Sequence, residues 1–155
     1  MRYFSTRGAG PVTLDDALRK GIADDGGLFL PERLPTFGFS DFDSADSAVS
    51  VAHILLRPFF EGSELRGELR EILSETFKFD IPLTRLGVDG QDVSLLELYH
   101  GPTAAFKDVG AGFLAACLSR LESDPQTPLT ILVATSGDTG GAVAAAVSYT
   151  HLRAH

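Results

Sequence analysis

Leu129–Val147, "LTILVATSGDTGGAVAAAV", decides the fold class. Leu129–Thr135 is a continuous apolar, β-branched run of the kind that a parallel sheet buries on both faces. "SGDTG" turns the chain, and "GAVAAAV" then reads as a helix of small residues. A similar unit precedes it. Asp89-Gly90 is a turn signal, Val93–Tyr99 reads as a strand, and Val109–Leu121, "VGAGFLAACLSRL", is a second small-residue helix. Its glycines and alanines would let it sit close against a sheet. Strand, loop, helix, strand, glycine-rich loop, helix is the opening of a doubly wound α/β domain with a parallel sheet.

Upstream, residues 1–88 read as a small helix-rich domain. "TLDDALRKG" has a capping Thr13, acids in the first turn and a stop at Gly21, which predicts a short helix. Asp24–Pro35 is turn-rich around Leu28, Phe29 and Leu30, and predicts a loop with a short strand. The polar stretch Phe39–Ser50 can cap the next helix. Val49–Phe60 and Ser63–Phe79 carry apolar residues at three- and four-residue spacing, which predicts two helices.

Bulk properties exclude several classes of partner. With 44% hydrophobic and 22% charged residues the chain should be globular. A net charge of −8 leaves no basic patch for nucleic acid or an anionic membrane surface. No apolar run is long enough to span a bilayer. Cys117 is the single cysteine, so neither an internal disulfide nor a cysteine metal cluster is expected, and a reducing, cytoplasmic setting fits best.

Two loops could do chemistry. In "ELYHGPTAAFKD", Glu97–Asp108, Lys107 stands between Phe106 and Asp108 at a helix start. Apolar walls and the positive end of the helix dipole both disfavour an ammonium, leaving an amine suited to Schiff-base chemistry. The plain alternative is a surface lysine whose stem packs on the helix, with Asp108 an ordinary first-turn acid. "TSGDTGG", Thr135–Gly141, brings backbone N–H groups and the side chains of Ser136, Asp138 and Thr139 to the carboxyl end of a strand. Such a place suits an anionic oxygen, although Ser, Asp and Thr also serve as simple helix caps. "GDTGG" has the look of the nucleophile loop of chymotrypsin-like proteases, but the alanine-rich helix behind it rules that out. Neither G-x-G-x-x-G nor G-x-x-x-x-G-K-[ST] occurs, so the dinucleotide and P-loop readings lack their motif.

Taken together, "HGPTAAFKD" and "ATSGDTGGAVA" closely resemble threonine synthase, a pyridoxal-phosphate (PLP) family with the tryptophan-synthase-β-like fold (PLP fold type II). "YFSTRG" and "DGGLFLPERLP" resemble that family's N-terminal segment, so the likeness runs from Met1 to about Val147. It implies an N-terminal domain over 1–88 and the start of a truncated PLP-binding catalytic domain over 89–147. "SYTHLRAH" departs from it, and 148–155 is expected to be a non-native tail.

The resemblance implies that Lys107 forms the Schiff base with PLP and then moves protons between the substrate's α and β carbons. It places Asp138 near the cofactor's 3′ oxygen, and Ser136, Gly137 and Thr139 around the substrate carboxylate. Phe106 would wall the site; His100 and Thr103 lie in the motif, where bracing the loop fits them at least as well as a direct role; Arg2 and Arg7 are assigned to scaffold, although arginines also suit phosphate recognition. No metal is implied. The reaction implied is that of a carbon–oxygen lyase acting on phosphates, from O-phospho-L-homoserine and water to L-threonine and phosphate. A homodimer is compatible with it. The family's phosphate-cradling glycine loop and pyridine-nitrogen partner lie later than this sequence runs, so the fragment alone is expected to be inactive. Two alternatives stand: a threonine-synthase-like phospholyase giving a keto acid, and a non-catalytic fragment.

Overall fold

Small residues at the middle of one helix allow neighbours to approach it from both sides, and the architecture follows from that. The computed structural model describes residues 1–88, 90–122, 129–135 and 137–148, and the backbone of 153–154. In chain order the elements are β1 (Tyr3–Ser5), α1 (Leu14–Lys20), β2 (Phe29–Pro31), α2 (Ala48–Leu56), α3 (Leu69–Thr76), β3 (Leu83–Val88), β4 (Gln91–Leu96), α4 (Lys107–Leu121), β5 (Thr130–Ile131), α5 (Asp138–Val147) and β6 (Arg153–Ala154). Three 3-10 turns, over Phe39–Phe42, Arg57–Phe60 and Glu64–Gly67, complete the path.

The caps behave as their residue types dictate. Thr13 Oγ1 accepts the Asp16 N–H at 3.1 Å to open α1, and Gly21 closes it. Ser47 opens α2 by accepting the Ser50 N–H at 3.2 Å. The helix expected over 49–60 stops at Leu56 and tightens into a 3-10 turn, because Pro58 has no N–H to donate. The one expected over 63–79 divides at Gly67 into a 3-10 turn and α3. Asp15, buried on α1, fastens that turn by accepting from Ser63 Oγ and, at 3.0 Å, from the Glu64 N–H.

At the N-terminus β1 and β2 pair antiparallel, Phe4 opposite Leu30. The "STRG" loop folds around Asp25, whose carboxylate accepts from Ser5 Oγ (2.6 Å), the Gly27 N–H (2.9 Å) and the Ala9 N–H (3.0 Å). Those bonds, Ser5 foremost, hold the Asp25 carboxyl below its ordinary range. Arg2 pairs with Glu32, and Arg7 donates to the Asp25 carbonyl, so both arginines are spent on this scaffold.

The main core joins α3 to α4. Leu65, Leu69, Ile72, Leu73 and Cys117 are fully buried, with Phe60, Ala116 and Leu121 beside them. Each such leucine or isoleucine contributes about 1.5–3 kcal/mol. Exposed ion pairs contribute about 0–1 kcal/mol, so packing sets this interface. The opposite side of α4, through Ala115 and Leu118, meets Val147 and Val143 of α5. Arg120 adds a polar clasp: its guanidinium donates to Glu75 Oε1 (2.7 Å) and Oε2 (3.1 Å) and to Glu68 Oε2 (2.8 Å).

Two expectations about strands need correction. The sequence predicts that Val93–Tyr99 opens a parallel unit, but β4 covers Gln91–Leu96 and is the second arm of an antiparallel hairpin, Leu83 opposite Leu96. A turn at Gly90 leaves room only for an antiparallel return, and the β3 arm, interrupted by Arg85 and Gly87, gives little period-2 signal. The sequence also predicts a continuous buried strand over Leu129–Thr135. Only Thr130 and Ile131 pair, in parallel with Arg153 and Ala154, and Leu132 is 80% exposed. A central strand needs neighbours on both edges, and among the described residues β5 has one short neighbour. The described strands thus form separate pairs, not a continuous doubly wound sheet. The α/β class stands, with α4 and α5 following β4 and β5 in the expected order.

The Arg120 clasp is open to direct test. Arg120→Ala should cost about 1–2 kcal/mol in urea unfolding at neutral pH, and Arg120→Lys should recover less than half, lacking the two-pronged geometry. Glu75 is held below its ordinary pKa chiefly by its bond to Arg120. The clasp's contribution is therefore present above the unfolded glutamate pKa and fades as pH falls through the lower folded value.

Candidate functional site

Beyond β4 the chain descends through Glu97–Phe106 into α4, and side chains brace the descent at two levels. At the top, Glu97 accepts from Thr84 Oγ1 on β3 (2.7 Å) and bonds His100 Nε2 (2.6 Å), while the Tyr99 and His100 rings lie 4.8 Å apart. These bonds, that from Thr84 first, hold the Glu97 carboxyl below its ordinary range. Lower down, Asp108 is only 6% exposed and turns back into the loop. Its carboxylate accepts the Thr103 N–H at 2.9 Å and the Thr103 hydroxyl at 2.6 Å. Gly101 makes room for this, because a Cβ there would lie 2.4 Å from Asp108 Oδ2.

Lys107 is the first residue of α4. Its ammonium donates to Asp138 Oδ2, across from the first turn of α5. Asp138 Oδ1 accepts the Thr139 N–H at 2.9 Å, and Thr135 Oγ1 accepts the Gly137 N–H at 3.3 Å. Gly137 adopts φ 143°, a conformation that favours glycine, and so lets the chain turn sharply into α5. The bond from Lys107 holds the Asp138 carboxyl below its ordinary range, with the Thr139 N–H adding to the effect.

Lys107, Gly137, Asp138 and Thr139 therefore converge where the N-termini of α4 and α5 meet, although Lys107 and Asp138 are 31 residues apart in the chain. Ser136 lies outside the described residues. The sequence predicts a dry, apolar niche for Lys107, and here the structure differs. The Lys107 side chain is 31% exposed and ion-paired. Phe106, expected to wall the site, is 62% exposed, and Lys107 Nζ lies 5.1 Å from the centroid of its ring. An opening of about 940 Å3 lies along another face of α4, lined by Asp108, Gly112 and Ala116 with Thr76, Lys78 and Ala142. Lys107 and Asp138 do not line it. Thr103 braces the loop as the sequence suggests, and the residue missed by sequence reasoning is its partner, Asp108. The signal for it was Gly101, a residue without a side chain where that of Asp108 had to fit.

Chemically, a lysine side chain faces a carboxylate held in its charged form, beside two helix N-termini that favour a negative group. Such a set fits a cofactor that offers an aldehyde to the amine and further anionic oxygens to the helix ends.

Comparison with known proteins converges on one family. Residues 2–77 match the family profile described as "Threonine synthase N terminus". The chain is 38% identical over 148 residues to threonine synthase from Pseudomonas aeruginosa, covering 92% of this chain and 31% of that protein. It is 41% identical over 137 residues to threonine synthase from Escherichia coli, covering 86% and 30%. Among solved structures, PLP-bound threonine synthase from Brucella melitensis superposes with a TM-score of 0.81 at 39% identity, covering 94% of this chain and 32% of that one. The chain thus spans about three-tenths of the length of the curated relatives it matches. No helix among the described residues is long and apolar enough to cross a membrane.

The ion pair should report itself by titration. Lys107→Met should move the Asp138 carboxyl midpoint upward, toward the ordinary aspartate range, as read by carboxyl-carbon NMR. Because the pair is intact only above the lowered Asp138 pKa, it should be lost as pH falls through that value, and added salt should weaken it.

Proposed function

This chain belongs to the threonine synthase family, and on that premise we propose that it carries the lysine-bearing part of a PLP-dependent lyase. The substrate class is O-phospho-L-homoserine, and the products are L-threonine and phosphate. The observation that carries the reading is the meeting of Lys107 with the Asp138 loop at the junction of two helix N-termini.

When bound, PLP supplies an electron sink that lets carbon–hydrogen bonds next to the substrate's amino group ionise. The chain's own residues then have distinct tasks. The Lys107 amine would hold the cofactor and, once freed, would move protons at the substrate's Cα and Cβ. Asp138 would lie near the cofactor's 3′ oxygen. Ser136, Gly137 and Thr139 bind the substrate carboxylate. The Thr139 N–H is occupied by Asp138 Oδ1 in the structure, so carboxylate binding at that donor requires Asp138 to turn aside. Residues 1–88 are the N-terminal domain and 89–147 the start of the PLP-binding domain.

The test is chemical. Treating the chain with PLP and then borohydride should place the pyridoxyl label on Lys107 in preference to Lys20 and Lys78. In the longer protein, Lys107→Ala should reduce phosphate release from O-phospho-L-homoserine by about 10^3-fold or more, as removal of a covalent catalytic group does. Label spread evenly over the three lysines, or turnover surviving Lys107→Ala, would contradict the assignment.

A further inference from the structure

The loop that delivers Lys107 is held in a conformation it would not adopt unaided. Ala104 sits at φ 55°, a region that residues other than glycine seldom occupy, three positions before the lysine. Its own N–H donates to the Gly101 carbonyl at 3.1 Å, and the side-chain bonds on the neighbouring Thr103 come from Asp108. Asp108 spends one oxygen on the Thr103 N–H and the other on the Thr103 hydroxyl, and it is buried while doing so. A first-turn acid serving only the helix dipole would have no reason to be enclosed or to reach back five residues. Thr103 also faces α5, since a Cβ placed on Gly141 would stand 3.9 Å from the Thr103 methyl. Asp108 and Thr103 therefore link the lysine loop to both helices whose N-termini meet at the Lys107–Asp138 contact.

We propose that Asp108 and Thr103 form a positioning clamp that fixes the Lys107 amine against the α5 loop, and that Gly101 is the space the clamp requires. This rests on the reading of Lys107 as the cofactor lysine. The clamp takes no part in proton transfer. Its requirement is shape and hydrogen bonding, not the charge of a carboxylate. An amide at position 108 satisfies it: its oxygen accepts the Thr103 N–H while its NH2 donates to the Thr103 hydroxyl oxygen. An alanine does not, and neither does a valine at 103, which leaves a buried carboxylate oxygen without its donor.

The experiment uses the whole chain and measures which lysine takes the borohydride-fixed pyridoxyl label, with thermal unfolding recorded for every variant. In Thr103→Val and Asp108→Ala, the share of label on Lys107 relative to Lys20 and Lys78 should fall by about fivefold or more, as expected when a reacting group loses its fixed geometry. Gly101→Ala should behave likewise without altering any polar group. In Thr103→Ser and Asp108→Asn the share should stay within about twofold of the parent, because both bonds can be remade. A structural role alone would lower the unfolding midpoint and leave the share unchanged, which overturns the proposal. Equal losses in Asp108→Asn and Asp108→Ala overturn it too, since charge would then be the requirement. If the parent chain shows no preference for Lys107, the functional reading fails, and the clamp is judged on the Thr103 amide alone. Hydrogen exchange at that amide should be about tenfold or more slower in the parent than in Asp108→Ala. Equal rates overturn the clamp.

Discussion

Because α4 is gripped on two sides, its first residue cannot wander, and the site exists as a consequence. One side presents Ala116, Cys117 and Leu121 to Leu69, Ile72 and Leu73 of the N-terminal helices, and the other presents Ala115 and Leu118 to α5. Ala115, Ala116 and Cys117 let both neighbours approach closely; a leucine in place of Ala115 or Ala116 would push one neighbour away. Apolar burial supplies the strength and Arg120 supplies the register, tying the last turn of α4 to Glu68 and Glu75. With that end pinned, Lys107 at the other end is brought to Asp138.

The same layout explains why the amine is ion-paired and partly exposed instead of enclosed. The helix N-terminus favours negative charge, and Asp138, at the start of a second helix, provides it. The 940 Å3 opening lies along another face of α4, so the Lys107–Asp138 pair and that void are separate features of the surface.

Much of this was legible from residue types that act locally. Thr13 and Gly21 bound α1, and Ser47 opens α2, because capping is decided within one turn. Lys107 and the Asp138 loop were singled out from their neighbours in sequence, and they meet because α4 packs against α5. What escaped detection depends on partners far along the chain or on pairing. β3 has no strong alternation and is defined by β4. The apolar run Leu129–Thr135 looks like a buried strand, but burial is a property of neighbours, and Leu132 is exposed. Asp108 resembled any first-turn acid; its burial follows from the turn that brings Thr103 and Gly101 back onto it.

The central claim is a distance, that the Lys107 amine touches the Asp138 carboxylate in the folded chain. Zero-length carbodiimide coupling, which joins an amine to a carboxylate only when they are in contact, measures it directly. After digestion, a Lys107–Asp138 cross-linked peptide should be prominent, alongside the Lys20–Asp24 link expected from their 2.8 Å contact. Recovery of the Lys20–Asp24 link with Lys107 unmodified, or joined to a different acid, would contradict the account.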